Sequence, residues 1–150
     1  MNPPRITATI AGRPLLPLLR PFVGAYFLAV LACDLLYSSA STYQQAVGGD
    51  FAGITEWLLA AGLVSAGLTL SAALIDFLGE PLFRKLPERW MYAAGGALVL
   101  LLGLTNLDLR WSGGADAIAP TGLVLSLATA AVLLATPSRA WARLYRPTPR

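Results

Sequence analysis

Four long apolar runs alternate with short polar stretches along the chain, at about 22–40, 56–78, 90–107 and 118–136. Each approaches the ~20 residues that a helix needs to cross a ~30 Å hydrocarbon core. The runs do not alternate with a period of two and are too long for strands. A bilayer offers backbone N–H and C=O groups no water, so a spanning segment must satisfy its own hydrogen bonds as a helix. The pattern predicts an all-α fold: a four-helix transmembrane bundle over 22–136, with both termini cytoplasmic.

The stretches between the runs differ in kind. Residues 1–21 are rich in proline and arginine (Pro3, Pro4, Arg5, Arg13, Pro14, Pro17, Arg20, Pro21). Prolines disfavour a regular helix, so this is expected to be a cytoplasmic tail, with 15–19 lying on the membrane surface. Residues 41–55 are polar (Gln44, Gln45, Gly48, Gly49, Asp50) and carry no Lys or Arg. A charged loop follows the second run, a polar turn at 112–116 separates the last two, and Pro137 opens a basic cytoplasmic tail over 137–150. Trp57, Trp90, Tyr92 and Trp111 flank the runs as an interfacial aromatic belt would. Ser38-Ser39-Ala40 resembles a signal cleavage site, but the run before it is long for a signal segment and carries Asp34, so a retained helix is expected.

Charge gives the runs a direction. Arg5, Arg13 and Arg20 precede the first run, Arg84, Lys85 and Arg89 follow the second, and Arg139, Arg143, Arg146 and Arg150 follow the fourth. Only Arg110 falls in the other two connections, a division of ten positive charges against one. The positive-inside rule places the crowded side in the cytoplasm, and four crossings return the C-terminus to it. Composition agrees: 56% of residues are hydrophobic, 13% are charged and the mean hydropathy is +0.62. A soluble domain carries nearer a quarter charged residues. The net charge of +3 is spread between the runs, which argues against nucleic acid. Arginine far outnumbers lysine beside abundant Ala, Leu and Gly, the composition of a GC-rich bacterial source. The expected location is a bacterial inner membrane, crossed several times.

Candidate chemistry is sparse. Histidine is absent, which removes the common metal and haem ligand and the usual base near neutral pH. Cys33 is the only cysteine, so no disulfide forms within the chain. No nucleophile–base pair, metal-ligand spacing or nucleotide motif is present. Asp34 lies twelve residues past Phe22, about 18 Å along a helix. A carboxylate at such depth costs several kcal/mol unless it is paired, protonated or wet. Its candidate partners are Thr105, Asn106 and Arg110, at the outer end of the third run. One reading makes this polar network a proton or ion site; the favoured one makes it a clasp that fixes helix register. Asp76, Glu80, Arg84 and Lys85 read as an interfacial charge cluster. Gly62, Gly67, Gly122, Ser126 and Ala130 recur at spacings that let helices approach closely, for internal packing or for docking a partner.

The order of landmarks resembles the domain of unknown function 2231 family, whose members are bacterial membrane proteins. Asp34-Leu35, Trp57, Gly62, Gly67, Ile75-Asp76-Phe77, Asn106 and Arg110 carry the resemblance over about residues 13–130. Arg13-Pro14 stands where the family has His-Pro, and Arg20-Pro21 lies near its Phe-Pro. The family's histidines and its glycine-rich ending are missing here. Four-helix membrane proteins of this kind look like b-type cytochromes, in which histidines hold haem; without them no cofactor is expected. The resulting expectation is a non-catalytic scaffold or accessory subunit of a larger membrane complex, bioenergetic or photosynthetic. Its partners would be lipid and other membrane subunits, with no nucleic acid and no identifiable small-molecule substrate. The alternatives are a small transporter built on Asp34 and a degenerate b-cytochrome.

Overall fold

Leu15, Leu16, Leu18 and Leu19 extend the first apolar run upstream across two prolines, and helix α1 (Leu15–Ser39) begins with them rather than at Phe22. Pro17 falls in the first turn, where its missing N–H has no helical acceptor to serve. Pro21 lies inside the helix and deprives one carbonyl of its donor. One interior proline costs about 3 kcal/mol, whereas in apolar surroundings each unpaired backbone group costs several, so the helix persists. Leu16 is buried against Ala72 and anchors this first turn.

The structure, a computed structural model, describes residues 9–10, 13–39, 43–79 and 87–136. Two strands of two residues, β1 (Thr9–Ile10) and β2 (Arg13–Pro14), pair antiparallel just before α1. The fold is otherwise all-α. Helix α2 (Tyr43–Gly79) has 37 residues, about 55 Å at the helical rise. It starts well before the expected residue 56, because no proline interrupts 43–79 and Gly48 and Gly49 weaken a helix by only about 1 kcal/mol each. Helix α3 (Pro87–Gly113) opens on a proline, which the first helical position tolerates. It ends before Gly114, whose φ of +57° is a left-handed conformation that glycine adopts freely.

A 3₁₀ turn (Gly114–Ala117) and a five-residue turn (Ile118–Gly122) then bend the chain into α4 (Leu123–Ala135). Ala119 is extended there, at φ −125° and ψ 132°, as a residue before proline prefers. The Ala119–Pro120 peptide is cis. The apolar stretch Trp90–Ala135, 46 residues long, thus contains both α3 and α4 and is bent between them. Together with Leu15–Ser39 and Ala52–Gly79 it makes three stretches, among the described residues, long and apolar enough to cross a membrane. The expected third and fourth runs are the two limbs of this bent stretch.

Contacts fix the directions. Gly62 of α2 lies against Tyr26 and Phe27 of α1, and Gly95 of α3 against Thr136 at the end of α4. Phe77 of α2 meets Trp90 of α3 edge-on, with ring centres 5.2 Å apart. Successive helices therefore run antiparallel, and α4 packs back on α1. The apolar core joins Val23, Phe27 and Val30 to Leu59, Leu63 and Val99. Around it the usual arrangement is inverted. Leu68, Leu101, Leu104, Val124 and Leu127 are exposed, while Asp34, Thr55, Asn106, Arg110 and Ser126 are buried. Such an apolar exterior suits lipid, not water. Trp90 and Trp111 are exposed near opposite ends of α3, and Trp57 is exposed within α2.

Candidate functional site

The buried polar residues converge on one place. Asp34 comes from α1, Thr55 from α2, Ser126 from α4, and Asn106 and Arg110 from successive turns of α3. The spacing of four residues puts Asn106 and Arg110 on the same helix face. Arg110 Nη2 donates to Asp34 Oδ2 at 2.7 Å, an ion pair whose two side chains are 1% and 0% exposed. Arg110 Nη1 donates to Thr55 Oγ1 at 2.8 Å, and Nε donates to Asn106 Oδ1 at 2.9 Å. Asn106 Nδ2 donates to Ser126 Oγ at 3.0 Å and to the Gly122 carbonyl at 3.4 Å. Ser126 Oγ closes the ring by donating to Asp34 Oδ2 at 2.6 Å.

Every helix contributes to this ring, and each nitrogen of the guanidinium meets an acceptor. A guanidinium has no acceptor capacity and a fixed fork of donors, so its three directions dictate where α1, α2 and its own preceding turn must lie. Charge-assisted bonds of this kind are the short, strong ones. One atom stands apart: Asp34 Oδ1 is buried and has no hydrogen-bond partner among the described residues.

The structure brings Asp34, Asn106 and Arg110 together. It does not bring Thr105, which is exposed and donates to the Leu101 carbonyl on its own helix. Thr55, expected in a polar connection, and Ser126, expected only as a small packing residue, complete the ring. Their signal in the sequence is faint, because a hydroxyl in a helix can bond its own backbone, as Thr55 also does to the Ala52 carbonyl. Gly122 sits beneath the ring: a Cβ there would lie 2.7 Å from the Ala117 carbonyl oxygen and 3.2 Å from Arg110 Nη2. Ala130 is buried and Gly62 touches α1, so both pack inside the protein, whereas a Cβ at Gly67 would meet nothing within 4 Å. Asp76 is buried near the end of α2; Glu80, Arg84 and Lys85 lie outside the described residues. Cys33 is half-buried and takes no part in the hydrogen bonds of the ring. Among the described residues no three His, Cys, Asp or Glu side chains gather as a metal site would require.

At the opposite end of the helices, Arg20 lies over the Tyr92 ring, 5.7 Å from its centre, and donates to the Thr136 carbonyl at 3.5 Å. These groups rim a cavity of about 170 Å³ between the helices.

Nothing matches this chain among curated proteins or solved structures. A family model described as a predicted membrane protein, DUF2231, matches residues 12–138. The match takes in all four helices and the whole polar ring, and the chain belongs to the DUF2231 family of predicted membrane proteins.

Proposed function

We propose that this multi-pass membrane protein is a non-catalytic scaffold or accessory subunit of a larger complex in a bacterial inner membrane. In this reading it crosses the bilayer four times as a four-helix bundle, with both ends cytoplasmic. The observation that carries the proposal is where the polar chemistry goes. The buried polar constellation among the described residues is spent on holding helices to one another: Arg110 reaches three acceptors on three helices, and Asp34 Oδ2 takes two donors. The outward faces are apolar and suited to lipid or to neighbouring spans. Site-specific photocrosslinking tests this. Probes at Leu68, Leu101 and Leu127, exposed on three different helices, are expected to capture a specific membrane protein from at least one position. Crosslinks to lipid alone from all three positions would sink the proposal.

A second reading is favoured by one atom. Asp34 Oδ1, buried and open among the described residues, is where a proton or small cation would bind if Asp34 served transport. That reading predicts a proton or cation flux in vesicles containing the purified protein and its loss in Asp34→Asn. Wild-type vesicles no leakier than empty ones would remove it.

A further inference from the structure

The cavity beside Arg20 is a different kind of site from the polar ring. Its walls are apolar: Val23 from α1, Leu70 from α2, Val99 from α3 and Leu133 from α4. Two threonines line it, but Thr69 donates to the Ser65 carbonyl and Thr136 to the Val132 carbonyl, so both hydroxyls are turned to their own helices. At about 170 Å³ it exceeds the ~150 Å³ apolar cavity that takes up benzene, and so has room for several methylene groups. Leu28 on α1 and Leu134 on α4 line it and are 47% and 78% exposed. Its mouth therefore opens sideways between α1 and α4, onto the face that meets lipid.

Arg20 is the charged residue in the lining of this cavity. Among the described residues the ion pair joins Arg110 to Asp34, and Arg20 belongs to none. What faces its guanidinium is a ring face and a carbonyl at the end of α4. A helix C-terminus carries about half a negative charge, so a net positive charge remains. In the sequence the neighbouring segments carry Arg13, Arg84, Lys85, Arg89 and Arg139 against Glu80 and Glu88.

We propose that this cavity holds an acyl chain of an anionic phospholipid whose phosphate pairs with Arg20. The chain enters sideways between α1 and α4 and fills the apolar space, while the headgroup stays at the basic end. A free phosphate would find no use for the apolar walls, and a neutral lipid would leave the charge on Arg20 unanswered.

The test is native mass spectrometry of the full chain released from nanodiscs of equal phosphatidylglycerol and phosphatidylcholine. The wild type is expected to retain one phosphatidylglycerol in preference to phosphatidylcholine. Arg20→Gln should lower that preference about fivefold, the effect of one basic residue at a lipid surface, and Arg20→Lys should keep most of it. Gly24 lines the cavity, and a Cβ there meets nothing within 4 Å. Gly24→Leu therefore places a side chain in open space and should abolish retention while the protein stays folded by circular dichroism. Equal retention of the two lipids by wild type would overturn the proposal, and so would unchanged retention in Gly24→Leu. The Gly24→Leu result decides the matter even if Arg20→Gln fails to fold. A retained neutral quinone in place of phospholipid would also count against it.

Discussion

A buried arginine and a buried aspartate are each costly, and their value lies in being together. Removing one leaves the other charge stranded, a loss of about 3–5 kcal/mol. Arg110→Met is therefore expected to destabilise the protein by that amount in unfolding titrations from mild detergent into sodium dodecyl sulfate. Combining it with Asp34→Leu removes both charges and should recover most of the loss, because an apolar pair of similar volume often replaces an ion pair without penalty. A double variant no more stable than Arg110→Met would mean that the pair does more than neutralise itself. Ser126→Ala removes one bond to Asp34 and one from Asn106, and is expected to cost nearer 0.6 kcal/mol, the average for a polar contact between spanning helices. The main charged members of this ring are legible in the sequence for the same reason that they are costly. A carboxylate inside an apolar run demands company, and Asn106 and Arg110 share a helix face near the end of another run. Thr55 and Ser126 are not legible as partners, since a hydroxyl costs little inside a helix and advertises nothing.

At the scale of the elements, the apolar runs locate the helices, and their ends follow other rules. Prolines near Leu15 suggest an irregular tail, yet α1 includes Pro17 and Pro21 because Leu16 packs on Ala72. The polar residues after Tyr43 suggest a loop, yet with no proline to stop it α2 runs on through them. The bend between α3 and α4 is marked in the sequence by a polar turn, but its tight exit at Gly122 depends on the approach of the Ala117 carbonyl, which no local pattern encodes. Gly122 and Gly67 make opposite predictions for the same substitution. Gly122→Ala pushes a methyl into the Ala117 carbonyl, 2.7 Å away, and should lower stability and loosen the ring. Gly67→Ala enters open space in mid-helix and should stabilise by about 0.5–1 kcal/mol, the usual penalty of a helical glycine. The two variants measured side by side in the same detergent titration give the sign directly. A Gly67→Ala protein as destabilised as Gly122→Ala would show that α2 packs more closely there than the open space around Gly67 implies.

For the whole molecule, the question is how the bent stretch Trp90–Ala135 relates to the bilayer. Straight, its 46 residues would extend about 69 Å, more than twice the ~30 Å of a hydrocarbon core. Its limbs instead lie antiparallel, with Asn106 bonded to Ser126 and Gly95 against Thr136. Helix α4 alone, 13 residues long, amounts to about 20 Å, and the turn over Ile118–Gly122 adds to its reach across the ~30 Å core. In the proposed reading this stretch crosses twice, which brings the total to four and returns the C-terminus to the side of the N-terminus. That reading puts ten of the eleven basic residues on one side, which the positive-inside rule would make cytoplasmic. Fusions of green fluorescent protein at the C-terminus are thus expected to fluoresce, and alkaline phosphatase there to be inactive. Alkaline phosphatase inserted at Gly114 should be active. A single crossing by the bent stretch would give an active phosphatase at the C-terminus and place Arg139, Arg143, Arg146 and Arg150 outside, against the charge rule. The same C-terminal fusion with Arg84, Lys85 and Arg89 all changed to Gln separates packing from charge. If the antiparallel limbs are held by the ring around Arg110, the C-terminus should remain inside even with that loop neutralised, because the two limbs insert or fail together.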